Sequence, residues 1–240
     1  MNELKQNLKP NQGKTIEKKV NDQVFDRFPL WTKIVKPEDD LKEVIREFAE
    51  KYFDRDDILV ISERMVAITQ GRLIHESKIK AGFFAKILIK FVKKWPNDPG
   101  FRNAKKMQIV INEAGLCRVL LAAFVSALTK PFGIRGLFYI ICGNQVSEID
   151  GFAPGTIPPY DEYAVLGPKN PSKVCDELAV EFAEKNISFA IVDANNIDTA
   201  ILGISQNLPI SKDILKEAFL DNPIGQGLEQ TPICLVGEKG

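Results

Sequence analysis

The sequence lacks several features that would each assign it to a special class of protein. Its 32 Lys and Arg residues balance 32 Asp and Glu residues, so net charge gives no reason to expect a nucleic-acid partner. The four cysteines are scattered without a C-x-x-C pair, which argues against a zinc site and suits reduced thiols in a cytosol. No apolar run reaches the roughly 20 residues that span a bilayer, and the first residues contain no apolar signal core. We therefore expect a cytoplasmic protein without a membrane span.

What is present is the composition of an ordinary globular protein. Hydrophobic residues make up 45% and charged residues 27% of the 240 positions, which is enough chain and enough apolar surface for a sizeable core. Residues 1–23 are polar and rich in Lys, Asn and Gln, and they predict a loosely ordered start. We expect residues 24–240 to form a single domain whose two halves are intertwined.

Helical and strand patterns alternate along the chain and predict an α/β (mixed α+β) fold, with sheets covered by packed helices. Apolar spacing from Leu41 to Tyr52 predicts a helix, and Ser211 is typical of a helix N-cap. A further helix is expected near Val174, and "TAILGIS" is a candidate for an additional strand. The strands that we predict are Ile58–Ser62, Leu137–Cys142, Phe189–Asp193 and Pro232–Val236.

The apolar region from Leu120 to Cys142 is ambiguous by periodicity alone. Leu120 to Leu128 fits either a buried helix or the first arm of a hairpin. The Pro131–Gly136 break and the β-rich "LFYIIC" that follows it favour the hairpin.

The stretch from Lys78 to Lys94, "KIKAGFFAKILIKFVKK", is basic and amphipathic. Lysines beside phenylalanines are typical of a helix that lies on a membrane surface. The same pattern fits a packed helix with a solvated lysine face. We favour the packed helix, because acids elsewhere cancel the charge and no lipidation signal accompanies the stretch.

Several segments together resemble the gamma-glutamyl ligases that act on the deazaflavin coenzyme F-420-0. They are the entry segment, helix, strand and turn of "FPLWTKIVKPEDDLKEVIREFAEKYFDRDDILVISERMVAITQGRLI", then "ICGNQVSEIDG", "LGPKNPS", "IVDANN" and the final "TPICLVG". The resemblance covers most of the chain from about Phe28, and it implies a gamma-glutamyl-ligase-like fold.

The resemblance also implies a chemistry. The ligases join an amine to a carboxylate with a nucleotide and a divalent metal, so the resemblance implies GTP or ATP with Mg or Mn as cofactors. Such chemistry needs cations to neutralise the triphosphate and carboxylates to hold the metal.

The sequence departs from the family pattern at the motifs that would carry this chemistry. The family turn K-A-E-G-R is Ile68 to Arg72 here, so that Ile replaces the lysine and Gln replaces the glutamate. Ser147 stands where the family has an acid after the hairpin. The later D-T-x-G-R motif keeps its acid as Asp193 and has Ile197 in place of the arginine. The catalytic residues are therefore unknown.

The resemblance nevertheless selects candidate site residues. Those for a nucleotide are Gln70, Gly71, Arg72 and Asn195, and those for a metal are Asp193, Glu148 and Asp150. Gly71 is expected to adopt a positive φ, and a plain turn with a solvated Arg72 is the structural alternative. For Asp193 the alternative is a local Asx-turn, and for Glu148 and Asp150 it is a polar turn.

Two functions of different class follow. The first is a ligase-like enzyme that forms an amide bond between a small-molecule carboxylate and an amine, dependent on a nucleotide and a metal. The alternative is a catalytically inactive descendant that binds a small anion or a protein. The resemblance and the apolar run from Val119 to Phe124 also predict a homodimer.

Overall fold

Strand β3 (Ile58–Ser62) lies at the centre of the main sheet. Its first four residues are apolar and buried, which is the pattern of a strand covered on both faces. In the computed structural model β3 pairs in parallel with β6 (Ser188–Ala194) and antiparallel with β8 (Ile233–Glu238). The structure describes residues 3–92, 103–134, 136–143, 146, 149, 151–152, 157–195, 198–225 and 227–238.

The main sheet has six strands in the order β1-β2-β8-β3-β6-β7. The remaining strands are β1 (Glu17–Val20), β2 (Gln23–Leu30) and β7 (Thr199–Ile204), and all three pair antiparallel with their neighbours. The mixed α/β fold is confirmed, and so are the strands predicted at 58–62, 189–193 and 232–236. The candidate strand "TAILGIS" is β7.

Four α-helices flank the strands of this sheet along the described chain, and those that follow β3, precede β6 and follow β7 contact the sheet. They are α1 (Leu41–Phe48), α2 (Glu63–Thr69), α7 (Pro171–Glu181) and α8 (Lys212–Phe219). Ser211 caps α8 as predicted, because its hydroxyl accepts a hydrogen bond from the Ile214 amide. One face of the sheet forms a core with α8 that includes Val60, Ala190 and Phe219.

The chain divides into two compact units. The sheet unit contains residues 1–71 and 168–240, and the helical unit contains residues 72–167. The helical unit comprises strands β4 (Leu73–His75) and β5 (Tyr163–Val165), which pair with each other, and helices α3 (Phe83–Leu88), α4 (Ala104–Ala114), α5 (Leu116–Thr129) and α6 (Leu137–Cys142). That the chain behaves as one intertwined domain stays a prediction.

The segment that we expect to be loosely ordered contains strand β1 and a short 3-10 turn, Glu3–Asn7. Lys5 in that turn is buried, and its ammonium lies 2.7 Å from Asp57 and 2.9 Å from Asp54. Burial raises the pKa of Asp57, against the opposing hydrogen bond from Lys5. The turn is thus anchored to the loop before β3.

The predicted hairpin between Leu120 and Cys142 is wrong, because both of its arms are helices, α5 and α6. The fourteen residues of α5 exceed the usual strand length, and its Leu and Ala residues favour a helix. Gly133 and Gly136, which suggested a hairpin turn, have φ of 79° and 84°. They connect two helices that pack on each other, so tertiary contact overrides the β propensity of "LFYIIC".

The basic stretch forms α3 and a following 3-10 turn, Ile89–Phe91. Ala85 and Leu88 of α3 are buried in the core of the helical unit, and Lys93 and Lys94 lie outside the described residues. In the part of the chain that the structure describes, no single helix has the length and apolarity to cross a membrane, although α4 and the α5 region pass such a test together as a pair bent by 112°.

Arg27 on β2 is completely buried and ties three parts of the sheet unit together. Its guanidinium donates to the Ala218 carbonyl at 2.6 Å, to the Thr15 carbonyl at 3.0 Å and to both Asp221 carboxylate oxygens at 2.5 and 3.0 Å. Burial acts to raise the pKa of Asp221, but the hydrogen bond and the charge of Arg27 outweigh it and lower that pKa.

We predict that Arg27→Met lowers the free energy of unfolding by about 3 kcal/mol, because it leaves a partly buried carboxylate without its cation. The folded pKa of Asp221 is depressed, so its stabilising effect is complete above the ordinary value of 3.8 and is lost as the pH falls through the folded value. Urea unfolding at pH 7 and at pH 3 measures both effects.

The matched control is Lys18→Met, since Lys18 lies 3.6 Å from the same carboxylate but is 31% exposed, whereas Arg27 is completely buried. We expect this change to cost about 0.5 kcal/mol or less. Equal losses in the two variants would show that Arg27 is no stronger a partner than a surface lysine.

Candidate functional site

The turn that ends α2 is held by contacts within the sheet unit. Gly71 has φ of 66°, as predicted, and its amide donates to the Ile68 carbonyl at 2.8 Å. The Gln70 side-chain amide donates to the Lys169 carbonyl at 3.0 Å, and its oxygen accepts from the Lys169 amide at 2.7 Å. The Gln70 side chain therefore both donates to and accepts from the backbone of Lys169, as a residue of a paired strand does.

Arg72 has a comparable backbone contact within the helical unit. Its Nε donates to the Gly167 carbonyl, and its backbone carbonyl accepts from the Leu166 amide at 3.0 Å. A guanidinium nitrogen also lies 3.9 Å from the Glu113 carboxylate, and the side chain is only 15% exposed. These contacts give Arg72 a structural role next to β4 and β5, and its role as a nucleotide contact stays a prediction.

Asn195 closes the turn between β6 and β7. Its amide donates to the Asp198 carbonyl at 3.0 Å, and its side-chain oxygen accepts from the Asp198 amide at 3.0 Å. The carboxylate of Asp198 forms an ion pair with Lys216 at 3.0 Å, and this hydrogen bond holds the pKa of Asp198 below its usual value. Asn195 thus shapes the turn that follows Asp193.

Asp193 lies half-buried near the carboxyl end of β6, opposite Ala200 of β7. The last register pair between β3 and β6 is Ser62 with Val192, so the next residues are Glu63 and Asp193. Each acid therefore directly follows the last β3–β6 pair, at the carboxyl end of the two parallel strands, where Glu63 begins α2 and Asp193 still pairs with β7. Open α/β sheets bind ligands at this end, beyond the carboxyl ends of their parallel strands.

Glu63 was not among the predicted site residues. It is buried and is the first residue of α2, whose N-cap is Ser62. The signal for it was present in the sequence: a serine followed by an acid directly after a buried strand indicates a helix start at the strand's carboxyl end. Glu63 is therefore a further acid at the carboxyl end of the β3–β6 pair.

The other two predicted metal ligands, Glu148 and Asp150, lie outside the described residues. Across the ranges that the structure describes, no group of three or more His, Cys, Asp or Glu side chains is arranged to hold a metal ion.

A shallow cleft of about 460 Å³ lies beside Gln70 in the sheet unit. Residues at the start of α1, on α2 and on α7 line it, and its charged members are Glu38, Asp39, Asp40, Lys42 and Glu177. Four carboxylates against one ammonium disfavour a triphosphate at this position. The cleft suits a cation or a neutral group better than an anion.

His75, the only histidine, serves a local turn in the helical unit. Its Nδ1 accepts a hydrogen bond from the Ser77 amide at 3.1 Å, and its Nε2 lies 3.1 Å from the Glu162 carboxylate. These contacts give His75 a structural role in this turn.

A comparison with protein families decides where this chain belongs. The family model described as F420-0:Gamma-glutamyl ligase matches residues 29–200, which is more than two thirds of the chain. The chain belongs to this family. No curated protein matches the chain significantly. The resemblance inferred from the motifs is therefore confirmed.

Within this gamma-glutamyl ligase family member, the matched region runs from β2 to the start of β7 and contains both Glu63 and Asp193. It also contains the four positions predicted to contact a nucleotide. Gln70, Gly71, Arg72 and Asn195 all bond to the chain's own backbone. The family's turn is thus retained as a folding element.

We predict that Gln70→Glu, which places the family's glutamate in this turn, lowers the free energy of unfolding by about 1 kcal/mol. The carboxylate loses the donor to the Lys169 carbonyl and faces that carbonyl oxygen instead. Gln70→Ala, which loses both bonds, is the reference for complete loss of the contact. Urea unfolding measures both variants, and unchanged stability in both would contradict the structural role of Gln70.

Proposed function

We propose that this chain is a ligase-like protein that forms an amide bond between a small-molecule carboxylate and an amine, with a divalent metal and GTP or ATP. The family match over residues 29–200 carries the proposal. The acids Glu63 and Asp193, which both follow the last β3–β6 pair, support its metal-dependent part, because Mg²⁺ and Mn²⁺ prefer carboxylate oxygen.

The described residues fit the metal better than they fit the nucleotide. Glu63 and Asp193 would hold the ion, which would supply positive charge to an oxygen that becomes negative in the reaction. The chain's part is to keep the two carboxylates on one rigid edge of the sheet, since both strands are fixed by their register. The predicted nucleotide contacts form backbone hydrogen bonds instead, and no step that involves the nucleotide follows from them.

That misfit favours a second candidate function. In it the chain is a catalytically inactive descendant that keeps the family fold and binds a small anion or a protein. The observation behind it is that Gln70 replaces the family's glutamate and bonds in both directions to Lys169. A position that is charged in the family motif has become part of the fold.

We predict that Asp193→Asn weakens Mn²⁺ binding about tenfold or more, because it removes one of two carboxylates from the site. The melting temperature should stay nearly unchanged, since Asp193 is half-buried at a strand end. Calorimetry with Mn²⁺, alone and with GTP or ATP, measures the binding.

Asp213→Asn is the matched control, because Asp213 is an exposed acid in the first turn of α8. Equal Mn²⁺ binding by wild type and Asp193→Asn would remove Asp193 as a ligand. Mn²⁺ binding without any response to either nucleotide would favour the inactive descendant over the ligase.

A homodimer through α5 and α6 is part of this proposal. Leu121, Phe124 and Leu128 lie on one face of α5 and are 55–63% exposed, and Ile140 of α6 is 65% exposed. The opposite face of α5 is buried through Val119 and Ala122. A helix that is apolar on both faces is typical of a buried helix.

The absence of charge on this face suits a second copy of the chain. Residues 119–129 contain no charged side chain, and an interface around a two-fold axis places like residues opposite each other. A charged face would repel its copy in that arrangement, whereas this uncharged face would not.

We also propose that the protein works in the cytoplasm, where its four free cysteines stay reduced.

We predict that Phe124→Glu converts the dimer to a monomer at micromolar concentration, because it buries two unpaired carboxylates in the interface. Static light scattering measures the mass. The control is Leu228→Glu, at a leucine that is 69% exposed in the sheet unit, and it should leave the mass unchanged. A wild-type chain that is monomeric at this concentration would contradict the homodimer.

A further inference from the structure

The zero net charge of the chain conceals a separation of charge between its two units. Residues 72–167, the helical unit, contain thirteen Lys and Arg residues and seven Asp and Glu residues. This unit therefore carries a formal charge of +6, and the sheet unit carries −6. The neutral total, which argued against an anionic partner, does not describe the surface that such a partner would meet.

The positive charge is concentrated around α3. Residues 77–92 contain four lysines, Lys78, Lys80, Lys86 and Lys90, and no acidic residue. All four side chains are exposed, and none of them forms an ion pair with another described residue. Nothing within this segment neutralises them.

Phenylalanines are exposed beside these lysines. Phe83 is 72% exposed, Phe91 is 79% exposed and Phe84 is 42% exposed. The segment is nevertheless firmly packed by its other side, where Ala85 and Leu88 enter the core of the helical unit. The Gly82 amide also donates to the Gln108 side chain of α4 at 3.0 Å. The aromatic side chains are therefore exposed on a fixed part of the unit.

We propose that this basic aromatic surface, formed by residues 78–91, docks on a lipid bilayer that contains anionic headgroups. Exposed phenylalanines next to lysines match both layers of such a surface, because the rings enter the boundary between headgroups and acyl chains while the ammonium groups contact the phosphates. The protein would lie on the bilayer and not span it.

Charge distinguishes this occupant from a second copy of the chain. A two-fold contact through this surface would bring two sets of four lysines together, which is unfavourable. The uncharged face of α5 and α6 carries no such penalty. The two exposed apolar regions of the helical unit are thus suited to different partners.

A single-stranded nucleic acid is the other anionic partner to consider, because aromatic rings and cations also bind bases and phosphates. Phe83 and Phe84 pack edge to face, with ring centroids 5.6 Å apart, so they do not form parallel platforms for successive bases. This ring geometry favours the lipid surface, which needs no stacking of bases.

The test is sedimentation of the full chain with vesicles of phosphatidylcholine that contain 30% phosphatidylserine, and with vesicles of phosphatidylcholine alone. We expect binding to the anionic vesicles, reduced by salt, and much weaker binding to the neutral ones. Lys86→Gln with Lys90→Gln should weaken binding about thirtyfold, since each lysine near an anionic surface contributes about a factor of five. Phe83→Ser with Phe91→Ser should weaken it about tenfold or more.

Val180→Ser is the matched control, because Val180 is 79% exposed in the sheet unit and should not change vesicle binding. Melting curves of all variants exclude loss of the fold as the cause of weaker binding, and light scattering shows that association is unchanged. No binding of the wild type to anionic vesicles overturns the proposal, as does equal binding by wild type and the lysine variant. Lysine-dependent binding to single-stranded oligonucleotides without binding to vesicles also overturns it.

Discussion

The parallel pairing of β3 with β6 is the constraint on which the rest of the structure depends. These two strands lie on either side of the helical unit in the sequence. They pair over five residue pairs, from Ile58 with Ser188 to Ser62 with Val192. Parallel strands require a crossover between them, and here the chain forms a whole unit, residues 72–167, before it returns. The burial of β3 on both faces makes any shift of register costly, because a shift by one residue would turn every side chain of β3 to the opposite face of the sheet.

The same pairing determines the candidate site. Glu63 and Asp193 are 130 positions apart in the sequence, and both directly follow the last pair that joins β3 to β6. The turn that follows α2 differs, because its side chains bond to the chain's own backbone. Positions that resemble the family's charged motif are occupied by Gln70 and Arg72, whose side chains bond to Lys169 and Gly167. Asp193 keeps the acid of the family motif, whereas the turn keeps Arg72 and loses the motif's lysine and glutamate to Ile68 and Gln70.

Strong local patterns made much of the fold predictable from the sequence. Strands β3, β6 and β8 are short apolar runs bounded by polar residues, and α1 and α8 have apolar faces with recognisable caps. The region from Leu116 to Cys142 was not predictable, because a segment that is apolar on every side has no period. Only its contacts decide between helix and strand. The prediction of a hairpin there treated two left-handed glycines as a hairpin turn, although glycines of this conformation also connect helices.

The candidate site was predictable only where one strand contained it. Asp193 follows from its place near the end of β6, and the positive φ of Gly71 follows from the turn. The backbone bonds of Gln70 and Arg72 depend on a segment about 100 residues away, which no local pattern reports. The charge separation between the units was also not predicted, because a net charge of zero does not indicate where the charges lie.

The central claim is that Glu63 and Asp193 form one cation site at the edge of the sheet. Anomalous diffraction from a crystal soaked in Mn²⁺ tests it most directly, since the signal locates the ion independently of any activity. The account predicts a peak about 2.0–2.6 Å from carboxylate oxygens of both residues, the range of hard-cation distances to oxygen. A peak only at other carboxylates, or no peak at this edge with the ion bound in solution, would contradict it.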